Sequence, residues 1–187
     1  VFSPLIPEGR REMLRNRKTK VQSWYLDLGM IQNYWGSERL YHHTAPISMN
    51  YALREALRLI LEEGLDNCHK RHETMGRALQ DGLEAMGLTL TVRKEVRLPQ
   101  LTTVNIPDGA DDAAVRAQLL EDFGIEIGGG LGVFKGKIWR VGLLGQSCQA
   151  KNVVLLLSAL ESILKKQGCD IHVGVAVDAA MKRIHTA

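Results

Sequence analysis

The stretch Gly124-Ile-Glu-Ile-Gly-Gly-Gly-Leu-Gly-Val-Phe-Lys-Gly-Lys-Ile-Trp-Arg-Val-Gly-Leu-Leu-Gly145 decides the fold, because a glycine-rich loop leads directly into an apolar strand that carries one arginine. Alternation over 138–143 places Arg140 on one face of this strand and Trp139 and Val141 on the other. A half-buried guanidinium offers a flat fork of donors that matches a carboxylate or phosphate. By itself, the strand favours the simpler interpretation, an arginine on a solvated sheet face.

The glycine run Gly128-Gly-Gly-Leu-Gly132 precedes this strand. Phosphate-binding loops lead into the N-terminus of a helix, and P-loops add Gly-Lys-Ser/Thr, so this run does not predict a nucleotide site. Missing side chains would let the backbone approach a ligand or a neighbouring segment closely, and an ordinary hairpin is the alternative.

Helical spacing of apolar residues predicts helices at 24–35, 46–64, 65–86, 111–123 and 150–166, and alternation predicts strands at 88–93, 101–106, 125–127 and 137–143. From the second long helix onward the order is α-β-β-α-β-β-α. This order predicts an α+β or α/β fold in which helices cover one face of a small, mainly antiparallel sheet.

Two terminal segments have weaker patterns. Residues 1–20 are expected to form a loop, and residues 170–187 a loosely held tail in which Val173, Val175 and Val177 could form a short strand.

The helix at 46–64 is expected to turn an apolar stripe toward a core; its members are Leu53, Leu57, Ile60 and Leu61.

Composition describes a globular chain of 187 residues, 45% of them hydrophobic, with 24 basic and 21 acidic residues and a net charge of +3. This charge is too small and too evenly spread to favour nucleic acid or a membrane surface as a partner. The three cysteines are widely spaced and form no metal-binding motif, which suggests a reducing intracellular compartment and no metal site.

The segment Tyr41-His42-His43-Thr44 places polar groups in a loop before a helix that begins at Pro46, which suits an anionic ligand. It is a weak metal site, because adjacent histidines in an extended loop point apart. His69 and His72 are interpreted as surface residues. No Ser/His/Asp, GxSxG or paired-carboxylate motif stands out.

An ordered set of short motifs spans about residues 14–166. They are Arg17-Lys-Thr-Lys20, Trp24-Tyr-Leu-Asp27, Tyr34-Trp-Gly36, Tyr41-His-His-Thr44, Leu53-Arg-Glu55, Glu63-Gly-Leu65, Arg97-Leu-Pro99, Thr102-Thr-Val104, Ile125-Glu-Ile127, Gly129-Gly-Leu-Gly132 and Arg140-Val-Gly-Leu-Leu-Gly145. Each is weak alone, but together they resemble the alanine–glyoxylate (serine–pyruvate) aminotransferases, a class V, fold-type I family that uses pyridoxal 5'-phosphate (PLP).

This resemblance implies a transaminase that moves an amino group from alanine or serine to glyoxylate or pyruvate, acting as a homodimer with active sites at the subunit interface. It implies that Arg140 binds the substrate carboxylate, with Gly130 nearby. It also implies that Tyr41 and Thr44 contact the PLP phosphate across the dimer interface. No catalytic residue is assigned, because the family's Schiff-base lysine has no counterpart in this chain.

The resemblance further implies domain boundaries. Residues 1–63 match the end of the PLP-binding large domain, 64–169 match the small C-terminal domain, and 170–187 are a divergent tail. Peroxisome is the expected compartment and mitochondrion the alternative, although the final residues His185-Thr186-Ala187 are no peroxisomal address. A fragment or truncated form is expected.

Two other functions stay open. The chain could be a non-catalytic interaction protein that pairs with an intact subunit, or a small amino-acid-binding α+β module that uses Arg140 alone.

Overall fold

The computed structural model describes residues 7–186. It contains seven α-helices within that range: α1 (Glu8–Arg15), α2 (Leu28–Trp35), α3 (Ile47–Glu63), α4 (Leu65–Ala85), α5 (Asp112–Phe123), α6 (Ala150–Lys166) and α7 (Ala176–His185). It contains three strands: β1 (Leu101–Asn105), β2 (Gly128–Gly129) and β3 (Ile138–Gly142). None of these helices is both long and apolar enough to cross a lipid bilayer.

The chain divides into two compact units, one ending at Leu57 and the other beginning at Arg58. In the first unit, α1 lies where the sequence predicts a loop over 1–20, so that prediction is wrong for the helical part. Glu8 stabilises α1 through ion pairs with Arg11 and Arg15. Residues 1–6 of the predicted loop lie outside the described part, as does Ala187.

The second unit contains the predicted antiparallel sheet, which is smaller than expected. Its strand order is β1-β3-β2, and both pairs are antiparallel. Only Leu90 of the predicted strand 88–93 forms a bridge, to Val104, before the short 3₁₀ turn Lys94–Val96 redirects the chain. The predicted strand 125–127 is also wrong, because Ile125 donates its N–H to Leu119 and so completes the C-terminal cap of α5.

Helices cover one face of this sheet and form the core. The inward stripe predicted for α6 is confirmed, because Val153, Leu156, Leu157, Leu160, Ile163 and Leu164 are all buried. On the sheet, Val104, Trp139 and Val141 are buried on the same side. The Trp139 indole N–H donates to Asp112 Oδ1 at 2.9 Å, which connects β3 to the start of α5.

The prediction of a loosely held tail over residues 170–187 is wrong for most of the segment. Residues 176–185 form α7, which packs on α4 and α6 with Ala176 and Ala180 fully buried. The close approach requires Gly82, where a Cβ would lie 2.5 Å from Leu157 Cδ1 and 2.9 Å from the carbonyl oxygen of Ala176. Arg183 adds an ion pair to Asp81 at 2.7 Å.

The apolar stripe of α3 does not face a core within residues 7–186. Leu53 is 58% exposed, Leu57 51%, Ile60 37% and Leu61 82%. The sequence therefore predicts the stripe but not what covers it, because the described part of the chain supplies no surface against it. The predicted boundaries of the large domain, the small domain and the tail stay predictions.

Candidate functional site

Arg140 lies at the centre of β3, half-buried, on the face of the sheet that the helices leave open. Its Nε donates to the carbonyl oxygen of Gly129 on the neighbouring strand at 2.8 Å. Gly128 stands opposite Arg140 in the register, and a Cβ there would lie 3.1 Å from Arg140 Nη2. The missing side chain therefore lets the guanidinium lie over β2. Its two Nη groups have no acceptor among the described residues, so the outer edge of the fork can receive an anion.

Thr103 is the cross-strand partner of Arg140 on the other side, so both side chains belong to the same face. Its Oγ1 is shielded from solvent and has no hydrogen-bond partner within residues 7–186. Sequence reasoning missed this residue. Its alternation within β1 could have suggested the face, but only the register places it beside Arg140.

Gly130 lies in the connection from β2 to β3. A Cβ at this position would overlap the carbonyl oxygen of Phe134 and approach Ile138 Cγ1 to 3.0 Å. The sequence left open whether the glycine run lets the backbone approach a ligand or a neighbouring segment. In the structure, the backbone at Gly130 approaches the neighbouring segment that contains Phe134. The glycine lets the loop fold tightly enough to bring β2 beside Arg140.

Tyr41 and Thr44 lie in the loop between α2 and α3. Their hydroxyl groups are 3.1 Å apart and both residues are exposed. Two adjacent hydroxyls that can each donate a hydrogen bond fit the phosphate of PLP, which offers several acceptor oxygens. The donor set present is therefore compatible with that group.

His42 and His43 hold this loop in place. His42 is buried, and its Nε2 must donate to the carbonyl oxygen of Trp24, 2.8 Å away. Its Nδ1 then accepts from Nδ1 of His43 at 2.6 Å. The two rings also pack on Trp24 and Tyr25, with ring centroids 4.4 Å and 4.8 Å apart. The histidines therefore position Tyr41 and Thr44.

The interpretation of both helix α4 histidines as surface residues is wrong for one of them. His69 is exposed, but His72 is 8% exposed. Its Nδ1 donates to the carbonyl oxygen of Cys68 at 2.7 Å, and its Nε2 accepts the N–H of Gly145 at 3.1 Å. The imidazole therefore uses both nitrogens to join α4 to the segment after β3, a partner 73 residues away in the sequence.

Residues 7–186 contain no group of three or more His, Cys, Asp and Glu side chains placed to hold a metal ion. Cys148 and Cys169 are buried free thiols, and burial raises the pKa of each. Raised thiol pKa values reduce the thiolate fraction, so these cysteines are poor nucleophiles at neutral pH.

The structure brings the predicted site residues together in two groups. Tyr41 and Thr44 form a hydroxyl pair in the unit that ends at Leu57, and in the unit from Arg58 onward Arg140 lies on the central strand β3 and Gly130 in the connection from β2 to β3. Each group presents donors to an anion.

Comparisons with known proteins identify the family of the chain. The family model described as "Aminotransferase class-V" matches residues 10–174. The (S)-ureidoglycine–glyoxylate transaminase of Bacillus subtilis (strain 168) is 44% identical over 161 residues, which is 86% of this chain and 39% of that protein.

Two solved structures resemble the chain. The ureidoglycine–glyoxylate aminotransferase from Bacillus subtilis gives a TM-score of 0.89 at 41% identity, covering 95% of this chain and 46% of that one. The alanine–glyoxylate aminotransferase from Nostoc sp. gives 0.78 at 54% identity, covering 85% and 42%. The chain thus spans less than half the length of these relatives. Since the family model covers most of its residues, the chain belongs to the class-V aminotransferases.

Proposed function

We propose that this chain is the substrate-carboxylate and phosphate-contact part of a PLP-dependent aminotransferase that moves an amino group from alanine or serine to glyoxylate or pyruvate. The observation that carries the proposal is the Arg140 guanidinium, whose Nε is held by Gly129 while both Nη groups have no acceptor among the described residues. Amino donors and 2-oxo acids share a carboxylate next to the reacting carbon. One arginine can therefore hold both substrates in turn.

The contribution of this chain is binding and orientation. Arg140 fixes the α-carboxylate, which sets the direction in which the substrate's reacting carbon points. Tyr41 and Thr44 would hold the PLP phosphate through their paired hydroxyls. When bound, PLP supplies the electron sink for the amino-group transfer. We assign no proton transfer to a residue of this chain.

A homodimer is part of the proposal, with Tyr41 and Thr44 reaching the cofactor phosphate of the neighbouring subunit. The exposed apolar stripe of α3 supports pairing, since four large aliphatic side chains in solvent are typical of a protein interface. The same stripe would serve the alternative function, a non-catalytic fragment that pairs with an intact subunit.

Steady-state kinetics of the full-length enzyme test the proposal, with alanine, serine and (S)-ureidoglycine as donors and glyoxylate as acceptor. A charge-assisted hydrogen bond contributes about 1.5–3 kcal/mol, so loss of a bidentate pair in Arg140→Ala should raise KM by about two to four orders of magnitude. Arg140→Lys should recover part of this loss, because lysine keeps the charge but not the fork.

The matched control is Lys137→Ala, which removes an exposed positive charge just before the same strand. It should leave KM unchanged. An Arg140→Ala enzyme with an unaltered KM for both donor and glyoxylate would remove the proposed carboxylate role.

A further inference from the structure

The segment that follows β3 is held by helix α4. We call residues 144–148, which include the 3₁₀ turn Gly145–Ser147, the exit turn of β3. Both polar backbone groups of Gly145 bind neighbouring residues of α4: its N–H donates to His72 Nε2 at 3.1 Å, and its carbonyl oxygen accepts from Arg71 Nη1 at 2.8 Å. Arg71 Nη1 also donates to the carbonyl oxygen of Cys148 at 3.0 Å.

Arg71 is itself held by an ion pair with Glu63 at the end of α3. Its Nε and Nη2 donate to the two carboxylate oxygens of Glu63 at 2.5 Å and 2.7 Å. The hydrogen bond from Arg71 lowers the pKa of Glu63, so this carboxylate is ionised at neutral pH. The fork therefore has one orientation, with its remaining Nη1 edge directed at the exit turn.

His72 is equally restricted. Because Nδ1 donates to the carbonyl oxygen of Cys68, Nε2 is left as an acceptor, and it points at the Gly145 N–H. Gly145 has φ +54°, a left-handed conformation that favours glycine. The exit turn therefore has a special backbone conformation that two side chains recognise.

We propose that Arg71, oriented by Glu63, and His72 are positioning residues for Arg140, because they fix the exit turn and with it the carboxyl end of β3. This inference rests on the proposed function. β3 has only five residues, and Arg140 lies five positions before Gly145. After the paired residues of β1 and β3, the N–H of Leu143 donates to the carbonyl oxygen of Gln100. The hydrogen bonds of Gly145 to Arg71 and His72 are the next ones that join this segment to a distant part of the chain. If the exit turn were loose, β3 and the Arg140 guanidinium could shift. A shift of about 0.5 Å is enough to spoil the orientation of a bound substrate.

The geometry separates this role from general stability. Arg71 is partly exposed and lies on the first turns of α4, whereas the buried apolar side chains of that helix begin at Ala78. Removing its side chain therefore leaves the core packing intact. The effect is expected in substrate binding more than in unfolding.

Kinetics of the full-length holoenzyme test the inference. Arg71→Ala is expected to raise KM for both the amino donor and the 2-oxo acid by about tenfold, with kcat within about twofold, since a misplaced binding group weakens carboxylate binding in both half-reactions. Lys70→Ala is the matched control, because Lys70 is an exposed cation next to Arg71 on the same helix and its side chain makes no hydrogen bond to the exit turn. It should change neither constant.

Two substitutions of His72 provide a second test, which does not depend on whether the Arg71→Ala variant folds. His72→Gln retains an acceptor that can reach the Gly145 N–H, and His72→Phe retains the ring shape without it. The phenylalanine variant should raise KM and speed the hydrogen exchange of the Gly145 amide, and the glutamine variant should restore both.

The results for the Arg71, His72 and Arg140 variants together decide whether the positioning role holds. A lower unfolding temperature with KM unchanged in both Arg71→Ala and His72→Phe would overturn the positioning role. If Arg140→Ala raises KM while these variants do not, only this inference is lost. If Arg140→Ala also leaves KM unchanged, the carboxylate role of Arg140 fails, and the inference fails with it.

Discussion

Replacing Asp112 with alanine should destabilise the unit that begins at Arg58, because this carboxylate connects β3 to α5. Asp112 Oδ1 accepts the indole N–H of Trp139 at 2.9 Å and the Nε of Arg116 at 2.8 Å. Trp139 has no exposed surface, so the loss of its acceptor costs about 1.5–3 kcal/mol, as for other hydrogen bonds to charged groups. The partly exposed (i, i+4) pair with Arg116 adds about 0.3–0.5 kcal/mol.

Urea unfolding followed by the fluorescence of Trp139 measures this loss, in a background where Trp24 and Trp35 are replaced by phenylalanine. With a slope of about 1–3 kcal/mol per molar urea, a loss of about 2 kcal/mol lowers the midpoint by about 1 M. Arg116→Ala removes only the ion pair and should cost about 0.5 kcal/mol or less. If Asp112→Ala costs no more than Arg116→Ala, the buried indole does not depend on this carboxylate and the reasoning is refuted.

Two further predictions concern the same unit. The hydrogen bond from Arg116, aided by that from Trp139, lowers the pKa of Asp112, so its stabilising effect is complete above about pH 4 and is lost as the pH falls toward the folded-state value. The difference in unfolding free energy between the wild type and Asp112→Asn should therefore shrink from pH 6 to pH 3; a constant difference would contradict this. Ala180→Asp should cost about 3 kcal/mol or more in urea unfolding, because it buries an unpaired charge between α7 and α4. Ala179→Asp, at a partly exposed position of the same helix, should cost clearly less, and equal losses would show that α7 is not packed as described.

Local signals in the sequence determine several elements of the fold. Helix α5 has Asp111 as its N-cap, with a side chain that accepts the N–H of Ala114, and ends at Gly124 in the left-handed conformation. Helix α6 carries its apolar residues at helical spacing over its whole length. Strand β3 shows the alternation that places Arg140 and Trp139 on opposite faces. Each signal lies within one helix or strand and its caps, so the sequence alone displays it.

Other features depend on partners that are distant in the chain. Strand β2 consists of two glycines, which have no side chains to form a pattern, and it exists because Gly128 and Gly129 pair with β3. Helix α7 carries Ala176, Ala180 and Ile184 at helical spacing, but its close packing also depends on Gly82 of α4, where a Cβ would lie 2.9 Å from the carbonyl oxygen of Ala176, and the sequence of α7 alone does not show this partner.

The motifs of the sequence determine that Arg140, Tyr41 and Thr44 are candidates for binding anions, and they indicate the aminotransferase family. Only the tertiary structure decides that Thr103 stands beside Arg140 and that Arg71 and His72 reach the turn after β3. The physical reason is that strand register and contacts between residues more than 70 positions apart are set by packing of the whole core, whereas local periodicity reports only which face a side chain occupies.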